Sequence, residues 1–213
     1  MPSPRSSLRS LLLLFVCLVL IVCSIAYVDR AAATFSYEHL HRPAAAVWLT
    51  HLVDPLQPLA ILGLAGSGLA ALVGGWRPGE RGRTLLALCA AILIAVATKE
   101  ELKYLFGRTW PETWVANNPS WIRDHVFGFT FLHGGQGWAS FPSGHTTQMS
   151  AVAGVVWVAA PRWRWLGVLL VALVTLGLWA ADFHFVGDIL AGATLGGSCG
   201  VGTHALICRR RAS

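Results

Sequence analysis

Six apolar runs, separated by stretches that hold most of the charge, set the pattern of this chain. They occupy residues 11–28, 52–75, 84–107, 143–160, 165–181 and 183–207, each close to the roughly 20 residues that an α-helix needs to cross a bilayer. The pattern predicts an all-α, polytopic membrane bundle of six transmembrane helices. The first run follows Arg5 and Arg9 and is longer than a typical signal h-region, so an uncleaved helix is expected despite the Ala31-Ala32-Ala33 that follows. Residues 29–51 read as a polar connection containing Arg30, Glu38, His39, His41 and Arg42. His39 and His41 do not share a helical face at their spacing, and they read as loop residues before metal ligands. Residues 108–142 form a connection far longer than the few residues usual between packed helices, and loops of that length are often functional. The expected organisation is therefore an N-terminal helix pair over 1–83, a core over 84–207 that includes the loop 108–142, and a basic tail over 208–213.

Composition narrows the class. Of 213 residues, 55% are hydrophobic and 12% charged, about half the charge usual in a soluble domain. The length leaves no room for a separate soluble domain beside six spans. A net charge of +6 would suggest a nucleic-acid partner in a soluble protein, but here the cations sort by loop. Of the 16 Lys and Arg, ten lie in the N-terminal segment, the 77–83 loop, the 162–164 loop and the Arg209-Arg210-Arg211 end. In a six-span chain these segments share one side, which the positive-inside rule makes cytoplasmic, with both termini there. No nucleic-acid partner is expected. The five Cys have neither paired nor metal-like spacing and read as small apolar side chains.

The remaining ionisable residues then collect at the outer face. Phe141-Pro142-Ser143-Gly144-His145 stands immediately before the fourth run. Pro142 disfavours helix before it, Ser143 is a favoured N-cap and Gly144 has no side chain, so a helix opening with bare N–H groups is expected. Such an end attracts a phosphate, and His145 would stand beside it as a proton donor or acceptor. Alone, this turn is as well explained by simple capping. At the start of the sixth run, His184 and Asp188 lie four apart and so share a helical face. The carboxylate would orient one ring nitrogen and free the other for attack; packing is the competing explanation. Lys99 and Lys103, also four apart, close the third run, where interface snorkelling competes with a functional role.

Taken together, Lys103, Pro142-Ser143-Gly144-His145 and His184 with Asp188 resemble the type 2 phosphatidic acid phosphatase family, which shares its site with vanadium haloperoxidases. The resemblance covers roughly residues 102–192. The family's first motif is Lys, six residues, then Arg-Pro; here Lys103 and Pro111 are kept and Trp110 replaces Arg. The second motif is intact. In the third, His184 and Asp188 match, while Gly177 and Leu178 stand where Ser-Arg is expected. The resemblance implies that His184 is the nucleophile forming a phosphohistidine, Asp188 its orienting partner, and His145 the acid that protonates the leaving oxygen. It implies that Lys103 and the backbone N–H groups of Ser143 and Gly144 hold the phosphoryl oxygens. Arg108 is the nearest substitute in sequence for the absent guanidinium, with Arg123 and His133 as further candidates and Lys99 behind Lys103. Segments 107–114 and 131–135 also look like a lipid A phosphatase-type branch.

The expected activity is metal-independent and cofactor-free hydrolysis of a membrane-embedded phospholipid, isoprenoid or lipid A phosphate or diphosphate. The expected place is the periplasmic face of a bacterial inner membrane. A lipid phosphotransferase using the same phosphohistidine, and a phospholipid-binding protein without turnover, are the alternatives. A haloperoxidase does not suit six spans.

Overall fold

The computed structural model describes residues 4–114 and 117–208; the Arg209-Arg210-Arg211 run lies outside them. Among the described residues the chain is helical and contains isolated β-bridges in the 108–142 loop but no strand. The helices are α1 (Pro4–Cys23), α2 (Asp29–Leu40), α3 (Ala44–Thr50), α4 (Leu56–Gly74), α5 (Glu80–Phe106), α6 (Trp121–Asp124), α7 (Gly144–Ala159), α8 (Arg164–Ala180) and α9 (Val186–Ile207).

All six apolar runs are helical, in agreement with the expected all-α bundle. Three helical stretches, Leu8–Leu40, Ala44–Gly74 and Pro161–Ala180, are long and apolar enough to cross a membrane. Their surfaces carry exposed Leu11, Leu13, Phe15, Leu62, Leu72 and Val168, as helices facing lipid require. The other three, α5, α7 and α9, hold the polar residues of the site and many of the glycines, and α7, with 16 residues, rises only about 24 Å.

The segment 29–51 differs from the polar connection expected for it. The first helix continues through one π-helical turn, Ser24–Val28, into α2, because the alanines after Asp29 are strong helix formers. It stops at His41 and Arg42, both with positive φ (52° and 54°), ahead of Pro43, which disfavours α conformation in the residue before it.

The centre of the bundle is α7 against α9, with α5 packed across both and α8 on the far side of α7. Small residues permit this approach. A Cβ on Gly196 would fall 2.0 Å from the Thr147 carbonyl oxygen, and one on Gly200 2.3 Å from that of Ala151. Ala91, Ala95, Ala151 and Val155 fill the α5–α7 seam. Val53, Met149, Val174, Leu178 and Ile189 form the core between α7, α8 and α9. Since α7 and α9 both begin at the end where α5 finishes, their N-termini meet the last turns of α5.

Gly196→Ala is expected to force α7 and α9 apart and to cost about 1–3 kcal/mol, the usual range for overpacking. It is read as a lower thermal midpoint of the purified protein in detergent. An unchanged midpoint contradicts the close approach.

Candidate active site

The turn ahead of α7 forms largely as its residues dictate. Ser143 is the N-cap residue with extended backbone (φ −62°, ψ 120°), and the helix begins at Gly144. The Ser143 side chain makes no capping bond to the backbone and accepts instead from Thr146 Oγ1 at 3.2 Å. The Ser143 N–H donates to the Asp188 carbonyl at 3.0 Å, tying the start of α7 to the start of α9. This N–H is therefore occupied and does not face an anion as expected from sequence. The first-turn N–H groups of Gly144, His145 and Thr146 are those that a helix leaves without an intrahelical partner.

A cavity of about 310 Å³ opens at this helix end, lined by Lys99, Lys103, Gly144, His145 and His184, with Trp110, Trp114, Gln148, Leu178 and Phe183 completing the wall. The structure thus brings together His145 and Gly144 from α7, Lys103 from α5 and His184 from the bend two residues ahead of α9, which is therefore not on a helical face with Asp188 as its spacing suggested. Lys99 joins them. It is 7% exposed, pairs with Glu100, and runs against Gly144, where a Cβ would meet its Cε at 3.1 Å. Trp110 and Leu178, which stand where the family has Arg, both line the cavity. The Trp110 ring lies 5.1 Å from that of His184, and its indole N–H donates to the Gln136 carbonyl at 2.8 Å. His145 and Gln148 also face an adjoining cavity of about 390 Å³ beside Asp54 and Gln57.

Asp188 is fully buried, and each of its oxygens is engaged. Its Oδ2 accepts from Ser140 Oγ at 2.6 Å and from the Phe185 N–H at 3.1 Å, the latter closing the first turn of α9. His184 Nδ1 lies 3.5 Å from the same oxygen, within ion-pair reach but without hydrogen-bond alignment. Oδ1 accepts from Arg108 Nη1 at 2.5 Å.

Three residues proposed from sequence to bind phosphate stand elsewhere. Arg108 is completely buried behind the His184–Asp188 pair, with Nη1 on Asp188 and Nη2 on Asp29 Oδ2 at 2.6 Å, and it does not line the cavity. Phe127, Phe129 and Phe185 surround its guanidinium carbon at 5.1, 4.9 and 4.5 Å. Arg123 is on the surface in α6, held by both oxygens of Asp124 at 2.8 and 2.9 Å. His133 lines a neighbouring groove of about 360 Å³ that shares Lys103 with the main cavity, and its ring packs edge-on against Trp138.

Two residues of the site escaped the reading from sequence. Ser140 had no signal. Asp29 did: a carboxylate at the end of an apolar run is costly unless partnered. Its Oδ1 accepts from Ser24 Oγ and from the Gly187 N–H, both at 2.8 Å. The π-turn permits the Ser24 contact, since a tighter helix does not stack residues five apart. Gly107, with φ +53°, turns the chain from α5 into the loop, where a Cβ would collide with the Thr130 carbonyl at 2.0 Å. Beyond it the Arg108 carbonyl accepts from the Ser140 N–H at 3.2 Å.

A second cleft, of about 360 Å³, is lined by Tyr37, Glu38, His41, Arg42, Glu112 and Asp182. Arg42 lies over the Trp114 ring at 3.5 Å, and Trp114 packs against Phe183 in the wall of the first cavity. Burial, reinforced by Glu112, pushes the Asp182 carboxyl up to about 7, with Arg42 opposing. Burial likewise raises Glu112, offset in part by Arg42. Neither Asp182 oxygen has a hydrogen-bond partner among the described residues.

Asp182 gives a pH dependence with a definite sign. In the unfolded chain it titrates near the ordinary value of about 3.9, in the fold near 7, so between these values only the folded state holds the proton. Stability falls as pH rises through this window and the loss is complete above about 7. Asp182→Asn is expected to melt like the wild type at about pH 3.5, below both values, and on the order of a few degrees higher at pH 8. A melting difference independent of pH contradicts the assignment.

A sequence model of the PAP2 superfamily matches residues 84–212, more than half of the chain and all of the helices that line the main cavity. No curated protein matches the chain by sequence. Among solved structures, the fold is similar to the first transmembrane PAP2 type phosphatidylglycerolphosphate phosphatase from Bacillus subtilis, with a TM-score of 0.51, 18% identity, and coverage of 91% of this chain and 94% of that one. The family match over α5 to α9, with Gly144, His145 and His184 on one cavity and Asp188 buried beside His184, shows that the chain belongs to the PAP2 superfamily and is a phosphatase of that type.

Proposed function

We propose that the protein hydrolyses a lipid phosphate through a phosphohistidine at His184, at the periplasmic face of a bacterial inner membrane. The observation that carries this reading is the convergence of His184, His145, Lys99, Lys103 and the first turn of α7 on one cavity. In the first step a ring nitrogen of His184 attacks phosphorus and the bond to the lipid oxygen breaks. His145 gives its proton to that oxygen as it leaves. In the second step water attacks phosphorus of the phosphohistidine while His145 takes a proton from it, the nitrogen–phosphorus bond breaks, and phosphate departs from the restored ring of His184. Asp188 stabilises the positive ring in between.

The charge of the transferring group is met by Lys99, Lys103 and the N–H groups of α7. These stand in place of the absent guanidinium groups, as two point charges instead of a planar fork. A site compensated in this way needs no metal ion. The lipid body stays in the bilayer, and the substrate class is that of membrane lipids ending in a phosphate. Phosphatidylglycerolphosphate, named for the structurally similar protein, belongs on the panel with lipid A, undecaprenyl diphosphate and phosphatidic acid.

The helix directions support the proposed orientation. The cavity lies where α5 ends and α7 and α9 begin, whereas the basic 77–83 and 162–164 segments adjoin the opposite ends of α5 and α7. In the proposed topology of six crossings, with the basic side cytoplasmic, the cavity is on the outer face.

Purified protein is expected to release inorganic phosphate from at least one panel lipid, in chelator as in its absence, and His184→Ala to lower the rate by about a thousandfold or more. Right-side-out vesicles are expected to hydrolyse added substrate without permeabilisation, inverted vesicles only with it. Activity abolished by chelator and restored by Mg²⁺, an active His184→Ala protein, or the reverse vesicle pattern contradicts the corresponding part of this reading.

A further inference from the structure

We infer that Asp29, outside the residues matched by the family, is a positioning residue for the reaction and acts on His184 through Arg108 and Asp188. The inference rests on the phosphohistidine reading above and adds a part that neither the motifs nor the lining of the cavity contains. Asp29, Arg108 and Asp188 are each completely buried, and the guanidinium joins the two carboxylates through one terminal nitrogen each, at 2.6 and 2.5 Å.

Consider Arg108 and Asp188 alone. A guanidinium at 2.5 Å from Asp188 Oδ1 would cancel most of that carboxylate's charge, and the ring of His184 would face a neutral pair. The reaction needs the opposite, because attack on phosphorus leaves the ring positive. Asp29 restores the field: Arg108 divides its charge between two carboxylates, and the three groups together carry one negative charge. That charge faces His184 through Asp188 Oδ2, whose distance to Nδ1 is 3.5 Å.

Asp29 also acts on position. Its Oδ1 accepts the Gly187 N–H at 2.8 Å, so the residue before Asp188 is fastened to the α1–α2 helix. A Cβ on Gly187 would fall 2.8 Å from Asp29 Oδ2 and equally close to Ile25 Cγ1, so the contact is available only because this residue is glycine. Ser24 Oγ fixes the same Asp29 oxygen across the π-turn at 2.8 Å. The first helix thereby completes the site from outside the 84–212 match.

Charge and position make different demands on variants from a bond that merely holds the fold. Asp29→Asn keeps size and the contacts to Ser24 and Gly187 but removes the charge. Arg108→Met leaves two buried carboxylates facing each other, and the double variant removes that repulsion. With the full-length protein in lipid nanodiscs and a panel lipid as substrate, Asp29→Asn is expected to lower kcat at least about tenfold with KM changed by less than about twofold. Asp29→Glu, which keeps the charge, is expected to recover most of that loss. Arg108→Met is expected to be slower than Asp29→Asn/Arg108→Met, a non-additivity that independent sites do not show. If Asp29→Asn is not recovered folded, Ser24→Ala, which loosens Asp29 without touching charge, is expected to lower kcat about two- to fivefold at unchanged KM.

Wild-type kcat in folded Asp29→Asn overturns the inference, as does Asp29→Glu no better than Asp29→Asn, or strictly additive losses in the pair. If folded Ser24→Ala is the variant measured, wild-type kcat there overturns it too. His184→Ala separates the two claims: an active His184→Ala enzyme removes the phosphohistidine, whereas an inactive one beside a fully active Asp29→Asn removes only the role of Asp29.

Discussion

A guanidinium held between two fully buried carboxylates is the contact on which the geometry of this site depends. Burying any one of the three charges alone would cost several kcal/mol, and removing one partner from such a set typically costs about 3–5 kcal/mol. The set is tolerable because neutral donors complete it: Ser24, Ser140 and the N–H groups of Phe185 and Gly187 supply the hydrogen bonds that Arg108 does not. In the proposed mechanism the imidazole becomes positive beside one net negative charge, and the stabilisation is about 4 kcal/mol for charges about 4 Å apart at an effective dielectric of about 20. That is large on the scale of catalysis, where each 1.4 kcal/mol is about tenfold.

The same contact explains how separate elements reach one point. Arg108 follows α5 and is pinned in the loop by the Ser140 N–H; Asp188 lies in the first turn of α9; Asp29 lies just after the π-turn of the first helix. The Ser143 N–H to Asp188 carbonyl bond then draws the start of α7 to the start of α9, and the glycines at 196 and 200 let the two helices stay in contact along their length. The polar groups of the site lie on the inside of this arrangement, and the outer faces of the helices carry exposed apolar side chains. On the cavity side stand two lysines, Lys99 and Lys103, and Trp110 packs on His184. The arginine that sequence proximity suggests for the phosphate pairs with Asp188 and Asp29 instead.

Much of this was legible where spacing is local. The apolar runs became helices, and a helix opens at Gly144 behind Pro142 and Ser143 as the turn residues direct, although Ser143 caps without a side-chain bond and His184 stands in the bend ahead of α9 and not on its face. Residues 29–51 misled because charges at both ends masked an alanine-rich helix. Arg108 misled for a related reason: nearness to Trp110 in sequence says nothing of a carboxylate 79 positions away that captures its side chain. Ser140 bonds to Asp188 across 48 positions, and no local pattern marks it. The Ser143 N–H looked free because only the packing of α9 supplies its acceptor.

The covalent intermediate offers the most direct measurement. Wild-type protein mixed with a radiolabelled panel lipid, quenched in alkali during turnover and mapped by mass spectrometry, is expected to carry base-stable, acid-labile phosphate on His184, and His184→Ala to carry none. Steady turnover with no label at His184, or label on Ser143 or another residue, would contradict the mechanism.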